Sequence, residues 1–245
     1  MVDLRCGDCL EIMKDIPDKS IDMILCDLPY GTTKCKWDNV IPFEPLWEQY
    51  NRIIKDNGAI CLFGSEPFSS KLRFSNLKMY RYDWIWQKTK YSNFLCLKKQ
   101  PARNFENVCV FYKKQPTYNP QMQEGKPYKD NVGRKANLSK QQNLGCKSYT
   151  PRINEGTRYP NCIVAFSNGN NKNVHPTQKP VALLEYLVKT YTNEGGTVLD
   201  NCMGSGSTGV ACINTNRNFI GIELDENYFN IAKTRCEEYI NGYKE

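Results

Sequence analysis

The chain of 245 residues predicts an α/β fold: a mostly parallel sheet with helices on both faces, interrupted by one irregular basic insertion. Three observations carry this expectation. Short apolar runs alternate with amphipathic stretches toward both ends of the chain. A Gly-rich turn, Gly204-Ser205-Gly206-Ser207-Thr208-Gly209, directly follows one such run. Between the two regular regions, residues 115–173 lose both periodicities and are dominated by Pro, Gly, Asn, Gln, Lys and Tyr.

Taken in order, a short strand over residues 2–5 leads into a helix over 9–16. Ile21-Asp22-Met23-Ile24-Leu25-Cys26 is a buried strand, followed by a loop with Thr32, Thr33 and Trp37. A helix over 45–55 precedes a strand over 59–63 that Gly64 closes. A helix over 68–77 and two aromatic strands, 81–87 and 107–112, complete the first part. After the irregular stretch, Pro180 suits the first turn of a helix, where its missing N–H costs nothing. That helix carries Leu183, Leu184, Leu187, Val188 and Tyr191 on one face. Gly195-Gly196 ends it, and a strand over 197–199 enters the Gly-rich turn. A helix over 206–213, a strand over 219–222 and a helix over 227–240 follow, the last with Tyr228, Ile231, Ala232 and Tyr239 inward.

Composition narrows the class. Apolar residues are 40% of the chain, ordinary for a globular protein. Charged residues crowd the first twenty positions and no apolar run reaches bilayer-spanning length, so a cytoplasmic protein is expected. The net charge of +7 is unevenly placed: residues 113–172 hold eleven Lys/Arg against three acids, and the remainder is close to neutral. A polyanion-binding surface has this signature, and so does a solvated basic loop. Tyr112, Tyr118, Tyr128, Tyr149 and Tyr159 interleave there with Lys126, Lys129, Arg134, Lys135, Lys147, Arg152 and Arg158, the candidate nucleic-acid contacts. Twelve cysteines and one histidine, His175, give only Cys6-x-x-Cys9 with ligand-like spacing, so a reduced structural set and no metal are expected.

Two strand ends carry chemistry. The Gly-rich turn allows positive φ and close approach of a ligand, and the helix start behind it offers free N–H groups. Asp200 before it can hold a positive group, and Glu223 at the next strand end can accept from both hydroxyls of a ribose. NAD and S-adenosylmethionine are not distinguished by this pattern, and a tight turn without ligand also fits it. At the other strand end stands Asp27-Leu28-Pro29-Tyr30. An aromatic amine is a poor nucleophile because its lone pair is delocalised into the ring. Two acceptors on its hydrogens favour a pyramidal nitrogen and stabilise the charge that grows during attack. Asp27 and the carbonyl of Leu28 supply them, Pro29 keeps Leu28 extended, and Tyr30 can stack on the base. Together, the two ends suggest methylation of an exocyclic amine on a base outside the duplex stack.

In this order the blocks resemble the amino-group DNA methyltransferases of the permuted, β-type motif order, which modify adenine N6 or cytosine N4. Asp27-Leu28-Pro29-Tyr30 is similar to their catalytic [D/N/S]-P-P-[Y/F/W] block. His175-Pro176-Thr177-Gln178-Lys179-Pro180 is similar to the block ahead of the cofactor turn, and Asp200 to Thr208 to the D-P-F-x-G-S-G-[T/S]-T motif. The resemblance implies a Rossmann-like S-adenosylmethionine-dependent fold. Residues 1–114 would form its catalytic part, 115–173 a target-recognition insertion and 174–245 its cofactor-binding part. It implies S-adenosylmethionine contacts from Asp8, Cys9, Thr177, Lys179, Asp200, Met203, Gly204, Ser205, Gly206 and Glu223. DNA is the implied partner, and a homodimer is compatible because members are often dimers. Three departures stand out: Leu28 for the first Pro of the catalytic block, Asn201-Cys202 for Pro-Phe in the cofactor motif, and a short recognition segment. The acid at the first catalytic position favours adenine N6. Cytosine N4, an RNA base or a protein amide are other substrates, and a non-catalytic nucleic-acid-binding module with a degenerate cofactor site is the rival of a different class.

Overall fold

The computed structural model describes residues 1–31, 39–129, 153–168 and 178–242. Thr32, Thr33, Trp37, Tyr149 and His175 therefore lie outside the described residues. The chain divides into two compact units, one of Met1–Asn119 with Cys162–Glu245, the other of Pro120–Asn161.

In the larger unit the strands are β1 (Val2–Cys6), β2 (Ile21–Cys26), β3 (Ile54–Gly64), β4 (Tyr80–Gln87), β5 (Phe105–Phe111), β10 (Ile163–Ala165), β11 (Thr197–Asp200) and β12 (Asn218–Glu223). They form one sheet in the order β1-β12-β11-β2-β3-β5-β4-β10. Every neighbouring pair is parallel except the two that involve β5. Helices cover both faces. Side chains alternate along β2: Ile24 and Cys26 join a core with Leu46, Trp47, Tyr50 and Ile53 of helix Phe43–Ile53. Met23 and Leu25 face the opposite core, where Leu183, Leu184, Leu187, Val188 and Tyr191 of helix Val181–Tyr191 are all buried as their spacing implies. Such two-sided burial is why β2 reads as a nearly continuous apolar run. Asp22 is its exception, accepting from Thr197 N at 2.9 Å and from Lys55 Nζ at 2.7 Å.

The differences from expectation have local causes. The first helix is α only over Cys9–Ile12 and tightens to a 3-10 turn over Met13–Asp15, because Ile16 precedes Pro17 and is extended. β3 starts at Ile54 rather than Ala59: its register against β2 shifts between Ile21 and Met23, which takes the polar residues 55–58 into the strand. β10 was hidden in the irregular stretch because only Val164 of its three residues is buried. Helix Val181–Tyr191 stops at extended Thr192, ahead of the glycine pair, and Gly195 (φ 77°) shapes the turn into β11 instead. On helix Glu226–Ile240 the fully buried residues are Ala232, Arg235 and Cys236, whereas Tyr228, Ile231 and Tyr239 are only partly covered. Among the described residues, no helix is long and apolar enough to cross a membrane.

The smaller unit holds two short antiparallel ladders, β6 (Gln123–Glu124) with β9 (Thr157–Arg158) and β7 (Tyr128–Lys129) with β8 (Ile153–Asn154). Arg158 knits them: its guanidinium lies 4.7 Å over the Tyr128 ring and donates to Lys126 O and Thr157 O.

Candidate active site

Parallel neighbours bring their carboxyl ends to one sheet edge, where ligands of open α/β sheets bind. β2, β11 and β12 are adjacent, so Asp27, Asp200 and Glu223 meet there although the sequence separates them widely. They line one cavity of about 630 Å³. Of the sequence-predicted site residues, Asp8, Cys9, Leu28, Pro29, Tyr30, Lys179, Met203, Gly204 and Ser205 line it too. Gly206 sits behind the wall. Thr177, Arg134, Lys135, Lys147 and Arg152 lie outside the described residues. Lys126 and Lys129 are exposed on the smaller unit.

One half of the cavity is the glycine turn. Gly204 (φ 52°) and Gly206 (φ 78°) hold left-handed backbone. A Cβ on Gly204 would meet nothing within 4 Å, whereas one on Gly206 would press on Ala232 Cβ at 3.0 Å. The first glycine leaves room at the cavity and the second lets helix Glu226–Ile240 approach. Asp200 is wired into the turn: Thr208 Oγ1 donates to its Oδ2 at 2.6 Å and Cys202 N to its Oδ1 at 3.1 Å. Burial outweighs these bonds and pushes the Asp200 carboxyl up to about 6. Glu223, also raised by burial, accepts from Gly204 N and Asp225 N, both at 2.9 Å. Asp8 caps helix Cys9–Ile12, accepting from Leu10 N at 2.7 Å.

The Asn201-Cys202 departure forms a polar floor. The buried Tyr50 hydroxyl donates to Asn201 Oδ1 at 2.6 Å, and Asn201 Nδ2 faces the sulfurs of Cys9 at 3.6 Å and Cys202 at 3.5 Å. Cys26 is buried beside them, and burial pushes its thiol up to about 12. Such a thiol is a packing group. Among the described residues, no group of three or more His, Cys, Asp or Glu is placed to hold a metal ion.

The other half centres on Asp27. The Tyr30 hydroxyl donates to its Oδ1 at 2.7 Å, and the Tyr30 ring stacks on Phe68 at 4.8 Å between centroids. On Oδ2 lies the ammonium of Lys179 at 2.5 Å, which also meets Glu106 Oε2 at 3.4 Å. Lys88 pairs with the other Glu106 oxygen, completing an alternating row: Asp27, Lys179, Glu106, Lys88. Burial works against the Lys179 ammonium, but the carboxylates of Asp27 and Glu106 outweigh it and hold its pKa above the ordinary value. Burial likewise works against the Glu106 carboxylate, and Lys179 and Lys88 more than offset it, holding Glu106 below its ordinary range. The Lys179 ammonium thus lies on the catalytic-block acid, whereas resemblance alone had pointed it at the cofactor.

Glu106 and Lys88 were missed because each lies one residue outside the aromatic strands expected at 81–87 and 107–112, and β5 in fact begins at Phe105. The available signal was Glu106 beside an apolar run, a charge that requires a partner if the run is buried. Arg235 was missed as well. It lies on a helix face expected to be apolar, and donates from beneath the turn to Ser205 O at 3.2 Å and Ser207 Oγ at 3.0 Å.

Comparison with known proteins adds an independent line. Residues 21–234 match the N6/N4 methyltransferase family model described as DNA methylase. The chain is 28% identical to the type II methyltransferase M.HpaI of Haemophilus parainfluenzae, over 98% of this chain and 76% of that protein. It is 27% identical to the type II methyltransferase M2.MboI of Moraxella bovis, over 95% of this chain and 86% of that one. Among solved structures, the M1.HpyAVI–SAM complex superposes with a TM-score of 0.64 at 25% identity, covering 96% of this chain and 98% of that one.

Proposed function

The chain belongs to the N6/N4 DNA methylase family, and on that footing we propose that it transfers a methyl group from S-adenosylmethionine to N6 of an adenine rotated out of DNA. The observation that carries this reading is the single cavity shared by the Asp27 block and the Gly204 turn. Its donor set suits a zwitterionic nucleoside: Asp200 for the ammonium, Glu223 for the ribose diol, Asp8 for the adenine edge. The backbone of Gly204 and Ser205 leaves space for the methionine chain. Bound there, S-adenosylmethionine supplies an electrophilic methyl group on a sulfonium.

The residues of the chain do the rest. Asp27 and the Leu28 carbonyl accept from the two amino hydrogens, turning the nitrogen lone pair toward the methyl group. A carboxylate offers about four lone-pair sites, so Asp27 can accept from the amine while Tyr30 and Lys179 keep it aimed. Tyr30, backed by Phe68, offers its ring to the base. The positive charge that grows on N6 is stabilised by Asp27, and the proton leaves after transfer, so no strong base is needed. The exposed Lys126 and Lys129, with Arg134, Lys135, Lys147 and Arg152, supply phosphate contacts. Arg158 holds the two short ladders together, and the insertion as a whole serves target recognition.

Incubation with duplex DNA and labelled S-adenosylmethionine, followed by digestion to nucleosides, tests the reading. Label in N6-methyldeoxyadenosine is the expected result. Label only in N4-methyldeoxycytidine would transfer the same mechanism to cytosine, and unlabelled DNA would overturn it. The role of Asp200 has its own test in pH. With a carboxyl near 6, Asp200 is ionised above that pH and protonated below it. A bound ammonium favours the ionised form, so affinity for S-adenosylmethionine should fall as pH drops from 7.5 to 5, by up to about tenfold per unit below the midpoint. Calorimetric titration reads this directly. Asp200→Asn should bind more weakly with a flatter profile, and a wild-type affinity constant across the range would refute the assignment.

A further inference from the structure

Residues 88–104, which connect β4 to β5, hold five Lys/Arg and no acid. The loop is built rather than slack. Lys88 N donates to Asn104 O at 2.7 Å and Ser92 N to Arg103 O at 2.9 Å, closing its neck. Asn93 bridges the limbs, accepting from Arg103 N at 2.6 Å and donating to Pro101 O at 2.8 Å. Asn168 secures the outgoing limb by accepting from Lys90 N at 2.9 Å. The tip is a 3-10 turn, Phe94–Cys96, on which Leu95 is 94% and Phe94 71% exposed. Tyr91 and Leu97 are exposed beside them. Four large apolar side chains held in water within seven residues contribute nothing to the core and form a surface for contact.

The loop's position gives that surface a direction. β4 runs parallel to β2 and β3, since both β3 and β4 are antiparallel to β5. The loop therefore leaves the sheet at the edge that carries the cavity, and its root residues Lys88 and Ser92 line that cavity. Anionic phosphates and apolar base faces are the two surfaces of DNA, and this loop offers a counterpart to each.

We propose that residues 88–104 form a DNA-contact surface distinct from the 115–173 insertion, in which exposed Lys90, Lys98, Lys99 and Arg103 sit on phosphates while Phe94 and Leu95 enter the stack beside the extruded base. The inference rests on the DNA methyltransferase reading. Extrusion leaves a gap in the duplex, and an apolar wedge that fills it offsets the lost stacking. A single strand needs no such help, so the wedge matters for duplex DNA alone.

The full chain with two sets of substitutions tests this. Lys98→Gln/Lys99→Gln/Arg103→Gln should flatten the dependence of duplex affinity on salt, measured by fluorescence anisotropy, by about 0.9 in log–log slope for each phosphate no longer neutralised. Phe94→Ala/Leu95→Ala should keep that slope but lower methyl transfer to duplex DNA about tenfold or more relative to heat-denatured DNA. Cofactor affinity should match wild type in both, and Leu95→Ala alone replaces the pair if it does not. An unchanged slope with an unchanged duplex-to-single-strand ratio would overturn the proposal. A flattened slope with an unchanged ratio would keep the phosphate contacts and strike the wedge. If removing Phe94 and Leu95 converted a dimer to a monomer with the ratio intact, the tip would be an interface between copies and the wedge would fail. Wild-type protein that methylates no DNA would defeat the methyltransferase reading, and the salt slope would still decide the loop.

Discussion

Asp27→Ala is expected to reduce methyl transfer at saturating cofactor by about a thousandfold or more, with the affinity for S-adenosylmethionine kept within about threefold. The size follows from what the carboxylate supplies. It is one of the two acceptors that turn the amine lone pair out of conjugation, and it carries the full negative charge nearest the nitrogen as positive charge develops. Cofactor affinity should survive because the binding half of the cavity is held by other contacts: Asp200 by Thr208 and Cys202, Glu223 by Gly204 and Asp225. Asp27→Asn separates shape from charge. It keeps an acceptor oxygen for the Tyr30 hydroxyl but loses the charge that faces Lys179, so an intermediate loss is expected. Single-turnover rates with labelled cofactor, beside calorimetric cofactor binding, give both numbers. An Asp27→Ala protein with near-normal turnover would remove the catalytic role from this residue.

How much of this site was readable beforehand depends on the range of the signal. β2 was legible to the residue because burial on both faces leaves an apolar run that nothing else in the neighbourhood imitates. The face of helix Val181–Tyr191 was legible for the same reason, with Leu183, Leu184, Leu187, Val188 and Tyr191 all buried. Asp27, Asp200 and Glu223 could be placed on one edge because parallel strands share their carboxyl ends whatever the sheet order. The order itself was not legible: nothing local to β5 says that it lies antiparallel between β3 and β4. That one strand decides where Glu106 lands, so the partners of Lys179 stayed hidden until the sheet was assembled. Arg235 was hidden likewise, because a cation beneath a turn joins segments far apart in sequence.

Lys179→Met should be the most damaging change outside the acceptors themselves, and its signature is lost turnover together with reduced stability. Lys179 stands between two carboxylates, 2.5 Å from Asp27 and 3.4 Å from Glu106, in a nearly dry setting. Removing one member of a buried ion network leaves the others uncompensated, a loss of about 3–5 kcal/mol where it has been measured. Here Glu106 keeps Lys88, so the lower end of that range is expected, read as a fall in the denaturant midpoint without a change in slope. The chemistry should suffer through Asp27. Without the ammonium, the carboxylates of Asp27 and Glu106 repel each other, and Oδ2 of Asp27 loses the partner that keeps it aimed. Single-turnover rates should therefore fall by about tenfold or more. Lys179→Arg keeps the charge and should retain most of the rate. Adding Glu106→Gln to Lys179→Met removes the repelling charge. The double variant should therefore be less destabilised than the sum of the singles, with a coupling of about 1 kcal/mol or more. Additive losses and a near-normal rate in Lys179→Met would mean that Lys179 fills space beside Asp27 without tuning it.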